Sequence, residues 1–164
     1  MDSPSDISPS TLPSHGLTGA LSEAGRARLA AKGVFQSVKK GHTLVAQGEA
    51  QDRLFILLSG EVAVTCFAPG HIIEIARLGE GVSIGEMSVI DPRPASADVT
   101  FTTPGEMWSL HRDDFFAFLH EDHENGLALL LAVAQIMAGR LRVNADKMLK
   151  QSESQRAFYE WGDY

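Results

Sequence analysis

At 164 residues the chain is sized for one domain, and its net charge of −7 argues against a nucleic-acid binder, which needs a basic patch to neutralise phosphates. With 44% apolar and 21% charged residues it has the composition of a globular domain, and no unbroken apolar run approaches the ~20 residues that a membrane span needs. The opening MDSPSDISPS lacks the basic and apolar stretches of a secretory signal, and the single cysteine, Cys66, can form no intramolecular disulfide, so the expected address is the cytoplasm.

Residues 1–15 hold five Ser and three Pro and almost nothing apolar, which predicts a disordered tail over 1–16. Ser22 is placed to cap a short helix, EAGRARLAAK, that ends at Gly33. From Val34 the pattern becomes short apolar runs between glycine turns, among them Leu54–Leu58, Glu61–Phe67 and Ile72–Leu78. Val62, Val64 and Cys66 share one face of such a run, the period-2 mark of a strand, and Cys66 among apolar neighbours reads as buried and inert. Regular short strands of this kind predict a closed β-sandwich or β-roll over about 34–111, ending with the strand Met107–Leu110.

After this roll the period changes. Asp113 is placed to cap a helix carrying Phe115, Phe116 and Leu119, and the polar HEDHEN stretch reads as a solvated turn. Gly126–Lys150 lacks proline, is rich in Leu, Ala and Met, and reads as one long helix, followed by a tail over 151–164. On it Leu127, Leu130, Ala134, Met137, Leu141, Asn144 and Met148 follow a 3,4 spacing, a stripe suited to pairing with a second copy. The fold class expected is therefore α+β: a double-stranded β-helix, or jelly-roll-like β-roll, with a short N-terminal helix and C-terminal helices, the last one long.

Four stretches in order carry a family resemblance: Gly41-His-Thr-Leu-Val-Ala-Gln-Gly-Glu49, Leu54-Phe-Ile-Leu-Leu-Ser-Gly-Glu-Val62, Leu78-Gly-Glu-Gly-Val-Ser-Ile-Gly-Glu-Met87 and Met107-Trp-Ser-Leu-His-Arg-Asp-Asp-Phe115. Over about 17–150 the chain resembles the cyclic nucleotide-binding domain of the bacterial catabolite activator family and of cyclic-AMP-dependent kinase regulatory subunits. The resemblance implies a phosphate-binding cassette opening at Gly85, Glu86 and Met87. Gly85 lets backbone approach a ligand, N–H groups at the following helix start favour an anion, and the Glu86 carboxylate can accept from a ribose hydroxyl. It also implies an arginine against the cyclic phosphate, since a planar guanidinium gives a phosphate two parallel charge-assisted bonds.

Here the sequence departs from the family. In the ungapped register Ala95 stands at the arginine's position, while Asp91, Pro94, Ser96 and Ala97 keep theirs. A gapped register would bring Arg93 there instead. Ser96 suits either a hydroxyl on the phosphate or an ordinary strand start. Val64 and Ile75 match positions that flank the base, although by themselves they read as core residues. On the last helix Asn144 and Ala145 fall where the catabolite activator contacts the base; Asn144 suits either a purine edge or its own symmetry mate.

His111, His120 and His123 lie near several carboxylates without the spacing of a zinc site, and His42 and His71 are isolated, which disfavours a cupin-type metalloenzyme. With no nucleophile, general base or Walker-type loop either, the expectation is a non-enzymatic sensor module to which the sequence assigns no definite cofactor. Its candidate ligand is cyclic AMP or cyclic GMP, bound weakly, or a related phosphate compound. The expected partner is a second copy through the last helix, with no nucleic acid and no membrane. The alternative is a ligand-free homodimeric interaction module. A Crp/Fnr-like transcription regulator would need a helix-turn-helix that the 14 residues beyond Lys150 are too few to supply.

Overall fold

The structure, a computed structural model, describes residues 11–160, with side chains through Lys150. A 3-10 turn at Gly16–Thr18 and helix α1 (Glu23–Lys32) lead into β1 (Val34–Val38), β2 (Thr43–Val45), β3 (Arg53–Ser59), β4 (Val62–Ala68), β5 (His71–Leu78) and β6 (Ser83–Ile84). The short helix α2 (Glu86–Ile90) precedes β7 (Asp98–Phe101) and β8 (Gly105–His111), and α3 (Arg112–Glu121) and α4 (His123–Glu160) follow. Two four-stranded antiparallel sheets, ordered β1-β8-β3-β6 and β2-β7-β4-β5, form the expected β-roll.

The unbroken apolar run of β3 follows from burial on both faces. Leu54 and Ile56 join Trp108, Leu110, Phe115, Phe118, Leu129 and Val133 in a core between roll and helices. Phe55 and Leu57 point the other way, into the roll with Val62, Ile84, Val99, Phe101 and Met107. A strand covered on both sides keeps no polar face, so its pattern is continuous rather than alternating.

Ser22 caps α1 as expected, its Oγ accepting from the Gly25 amide at 3.0 Å. Gly33 ends α1 in an extended conformation, φ −106°, and glycine is required there for space: a Cβ would lie 2.3 Å from the Trp108 indole. The cap of α3 is His111, whose Nδ1 accepts from the Asp113 amide at 3.2 Å, so Asp113 sits in the first turn rather than capping it.

Several other expectations are corrected. Residues 1–10 of the expected tail lie outside the described residues, but Leu12, within 1–16, is buried in the core. The HEDHEN stretch is no solvated turn: only Asp122 interrupts the helices, α4 already begins at His123, and Asn125 is 6% exposed. Helix α4 also continues through Glu160 where a tail was expected; residues 161–164 lie outside the described residues. Cys66 is half-buried rather than buried. Ile75 is 52% exposed because it lies on β5, the edge strand of its sheet, where Ile72 and Ile73 on opposite faces are exposed as well. It is also the extra residue of a β-bulge between Ala76, opposite Val64, and Glu74, opposite Thr65.

Asn125 ties three helices together. Its Oδ1 accepts from the Ser22 amide at 2.8 Å and from Ser22 Oγ at 3.1 Å, while its Nδ2 donates to both Asp122 carboxylate oxygens. Asp122 also accepts from Arg28 Nε at 2.9 Å. The Arg28 guanidinium first, and Asn125 second, hold the Asp122 carboxyl below its ordinary value. A carboxyl depressed on folding stabilises fully above its unfolded value of about 3.9 and loses that contribution as pH falls further. Asp122→Asn is therefore expected to flatten the acid limb of a denaturation profile below about pH 4, measured by urea midpoints against pH. An unchanged limb would assign the acid sensitivity elsewhere.

Within His123–Lys150 of α4 an 18-residue window reaches a mean hydropathy of 1.5, long and apolar enough to cross a membrane by length and composition. One face, with Leu129, Ala132 and Val133, is nevertheless buried against the roll. The opposite face is apolar and exposed. Leu127, Leu131, Ala134, Leu141, Ala145 and Met148 lie in exposed positions, and Ala138 between them is half-buried. These seven follow one another at 4, 3, 4, 3, 4 and 3 residues. Of the expected stripe, Leu127, Leu130, Ala134, Leu141, Asn144 and Met148 are exposed, and one member is corrected: Met137 is half-buried and packs towards the core.

Candidate functional site

The site forms where β6 turns into α2. Gly85 has φ +85°, and a Cβ there would lie 2.2 Å from the Arg53 carbonyl oxygen, so only glycine carries the chain this close over β3. The turn drives the next side chain inward. Glu86 is 1% exposed, a burial rare for a carboxylate without a partner. The partner comes from 54 residues away: Arg140 of α4 bonds Glu86 Oε1 through Nη1 and the Ser83 carbonyl through Nη2, the latter at 2.8 Å. Glu86 Oε2 remains buried with no hydrogen-bond partner.

Beside this pair lies a cavity of about 510 Å³ between α2, the roll and α4. Its apolar lining includes Val45, Val64, Leu78, Ile84, Val99 and Met137, and its polar lining includes Gln51, Glu86 and Arg140. That volume and a mainly apolar wall with a few polar groups suit a small organic ligand. The outer wall is the segment Arg93–Ala97, pinned to the β2–β3 loop by a bridge between Ala50 and Pro94. The Gly48 amide donates to the Ala95 carbonyl and the Ala95 amide to the Glu49 carbonyl, both at 2.8 Å.

Most residues singled out from the sequence converge here. Gly85, Glu86, Met87, Arg93, Ala95, Ser96 and Val64 all line the cavity. Met87 is 61% exposed, at the rim. Ile75, on the exposed part of β5, and Asn144, exposed on α4, do not line it. Arg93 is drawn to its neighbour: its Nε donates to Asp91 Oδ2 at 2.8 Å with both side chains mostly exposed, and Asp91 raises the Arg93 pKa. The short α2 offers one turn of amide groups and no cation stands at Ala95. Gln51 and Arg140 are site residues that the sequence does not announce. Arg140 follows Met137 by three residues on the roll-facing side of α4, a position recognisable once that helix's buried face is known; nothing in the sequence marks Gln51.

Among the described residues no group of three or more His, Cys, Asp or Glu side chains is placed to hold a metal ion.

Residues 35–122, more than half of the chain, match the family model described as "Cyclic nucleotide-binding domain". The chain is 34% identical over 104 residues to the CRP-like cAMP-activated global transcriptional regulator of Mycobacterium tuberculosis, covering 63% of this chain and 45% of that protein. It is 32% identical over 83 residues to the cAMP-dependent protein kinase type II regulatory subunit of Drosophila melanogaster, covering 51% of this chain and 22% of that one. It thus spans less than half the length of these relatives. Among solved structures, a cyclic nucleotide-binding domain from Methylobacillus flagellatus aligns with a TM-score of 0.76 at 28% identity, covering 82% of this chain and 79% of the other. The catabolite activator protein of Thermus thermophilus aligns at 0.74 and 25% identity, covering 84% and 62%. Four sequence blocks, the roll with its cassette turn, and these matches agree: the chain belongs to the cyclic nucleotide-binding domain family.

Proposed function

We propose that this domain is a non-enzymatic, cytoplasmic regulatory module that binds a small nucleotide-type ligand in the cavity between the cassette and α4. The observation that carries this reading is Glu86: a carboxylate 1% exposed, beside an open cavity, with one oxygen left without a partner. A buried acceptor left empty costs about 1–3 kcal/mol, so its retention fits a site completed by a ligand hydroxyl. Cyclic AMP and cyclic GMP fit the family but meet Ala95 in place of an arginine, so this reading gives them weak affinity. Titration calorimetry tests it. Weak cyclic AMP binding is expected, with a further severalfold loss in Glu86→Gln, which keeps the shape but removes the charge. Tight binding would show that another group, Arg93 foremost, holds the phosphate, and Arg93→Ala would then abolish it. No effect of any of these substitutions would favour the ligand-free interaction module.

The same reading includes a homodimer through α4. An exposed apolar seam at 4,3 spacing with three alanines permits close approach of a second helix. Light scattering at micromolar concentration is expected to give about 35 kDa, twice the 17.7 kDa of one chain. Leu141→Asp, within the seam, is expected to return the monomer mass. A wild-type mass of one chain at every concentration would end the dimer reading and leave the cavity unaffected.

A further inference from the structure

Every charged side chain that lines the cavity is paired with another that lines it: Arg140 with Glu86, and Arg93 with Asp91. The cavity therefore holds two cations and two anions and no uncompensated positive charge. A second residue that lines the cavity also carries an unsatisfied group. Gln51 Nε2 is buried without a hydrogen-bond partner, while its Oε1 accepts from the Asp52 amide at 3.1 Å. That bond fixes the amide's orientation, since a flipped side chain would oppose two donors. Gln51 follows Ala50, whose bridge to Pro94 holds the cavity's outer wall, and Gln51 and Ala95 both line the cavity.

Two unfilled groups of opposite kind describe a ligand: a hydroxyl to donate to Glu86 Oε2 and an uncharged acceptor for Gln51 Nε2, with an apolar body against Val64, Val99 and Met137. Resting on the nucleotide-type reading above, we propose that Gln51 is a specificity-determining residue that tunes the cavity to a neutral nucleoside-type ligand rather than to a cyclic nucleotide. A neutral amide donor satisfies an uncharged oxygen. It does not offset the desolvation of a phosphate monoanion, which needs a paired charge.

Adenosine and cyclic AMP are the probes, since they share base and ribose and differ at the phosphate. Calorimetry on the natural chain is expected to show adenosine bound at least tenfold more tightly than cyclic AMP. Gln51→Ala is expected to weaken adenosine about three- to tenfold, the loss of one neutral hydrogen bond. Gln51→Glu keeps the bond to Asp52 and the shape but presents an acceptor instead of a donor; it is expected to weaken adenosine more than Gln51→Ala does. Circular dichroism melts verify that both variants fold. Cyclic AMP binding more tightly than adenosine, or adenosine binding indifferent to both substitutions, overturns this proposal and leaves the nucleotide-site reading standing. Failure of both ligands with the natural chain and with Ala95→Arg overturns the two together.

Discussion

Ala95→Arg is expected to raise the affinity for cyclic AMP by about ten- to a thousandfold. The size of the gain follows from what the site lacks. A hydrogen bond to a charged group contributes about 1.5–3 kcal/mol, and a buried charge without its partner costs about 3–5 kcal/mol, against about 1.4 kcal/mol for each factor of ten. Position 95 is suited to the gain because its backbone is already fixed by two hydrogen bonds to the β2–β3 loop, so a new guanidinium would be carried by a rigid wall. Ala95 is itself only half-buried, which leaves room for a longer side chain. Arg93→Ala is the control. With Arg93 held by Asp91 and mostly exposed, its loss is expected to change cyclic AMP binding by less than about twofold. A large loss in Arg93→Ala together with no gain in Ala95→Arg would place the phosphate against Arg93 and reverse the alignment of the turn.

The roll and its cassette are legible in the sequence because glycine spacing and apolar runs report backbone demands directly. Gly85 must be glycine, and the burial of Glu86 follows from the turn it makes. What the sequence conceals depends on long-range placement. The face of α4 is one instance: apolar residues almost encircle its first half, so periodicity alone permits several stripes. Packing selects Leu129, Ala132 and Val133 for burial and draws Met137 towards the core, while Asn144 stays exposed. Ile75 is another. It lies on the edge strand β5, whose first five residues are exposed on both faces, and no local pattern announces that lack of cover. Asn125 is a third, polar in a polar stretch, yet buried because Ser22 and Asp122 satisfy its amide from two directions. Polar side chains that become buried through such distant partners carry the weakest signature of all, and Gln51 and Arg140 share that history.

Arg140→Ala is expected to lower stability by about 2 kcal/mol, moving a urea midpoint by roughly 1 M at an m-value of about 2 kcal/mol/M. Removing one member of a buried ion pair ordinarily costs about 3–5 kcal/mol because the other charge is left behind in the interior. The figure is reduced here because the Arg140 side chain is 46% exposed, whereas Glu86 is 1% exposed, so water already screens one end of the pair. The second loss is mechanical: Arg140 also bonds the Ser83 carbonyl, and the two contacts together anchor α4 on the cassette. The double variant Arg140→Ala with Glu86→Gln separates these contributions. With no carboxylate left to strand, it is expected to recover more than half of the lost stability, the remainder being the missing bond to Ser83 and the packing of the arginine stem. Equal instability in the single and double variants would mean that the stranded charge costs little and that the anchoring of α4 matters more. Full recovery would mean that Arg140 serves Glu86 alone, and that α4 is seated by Leu129, Val133 and their apolar neighbours without help from the cassette.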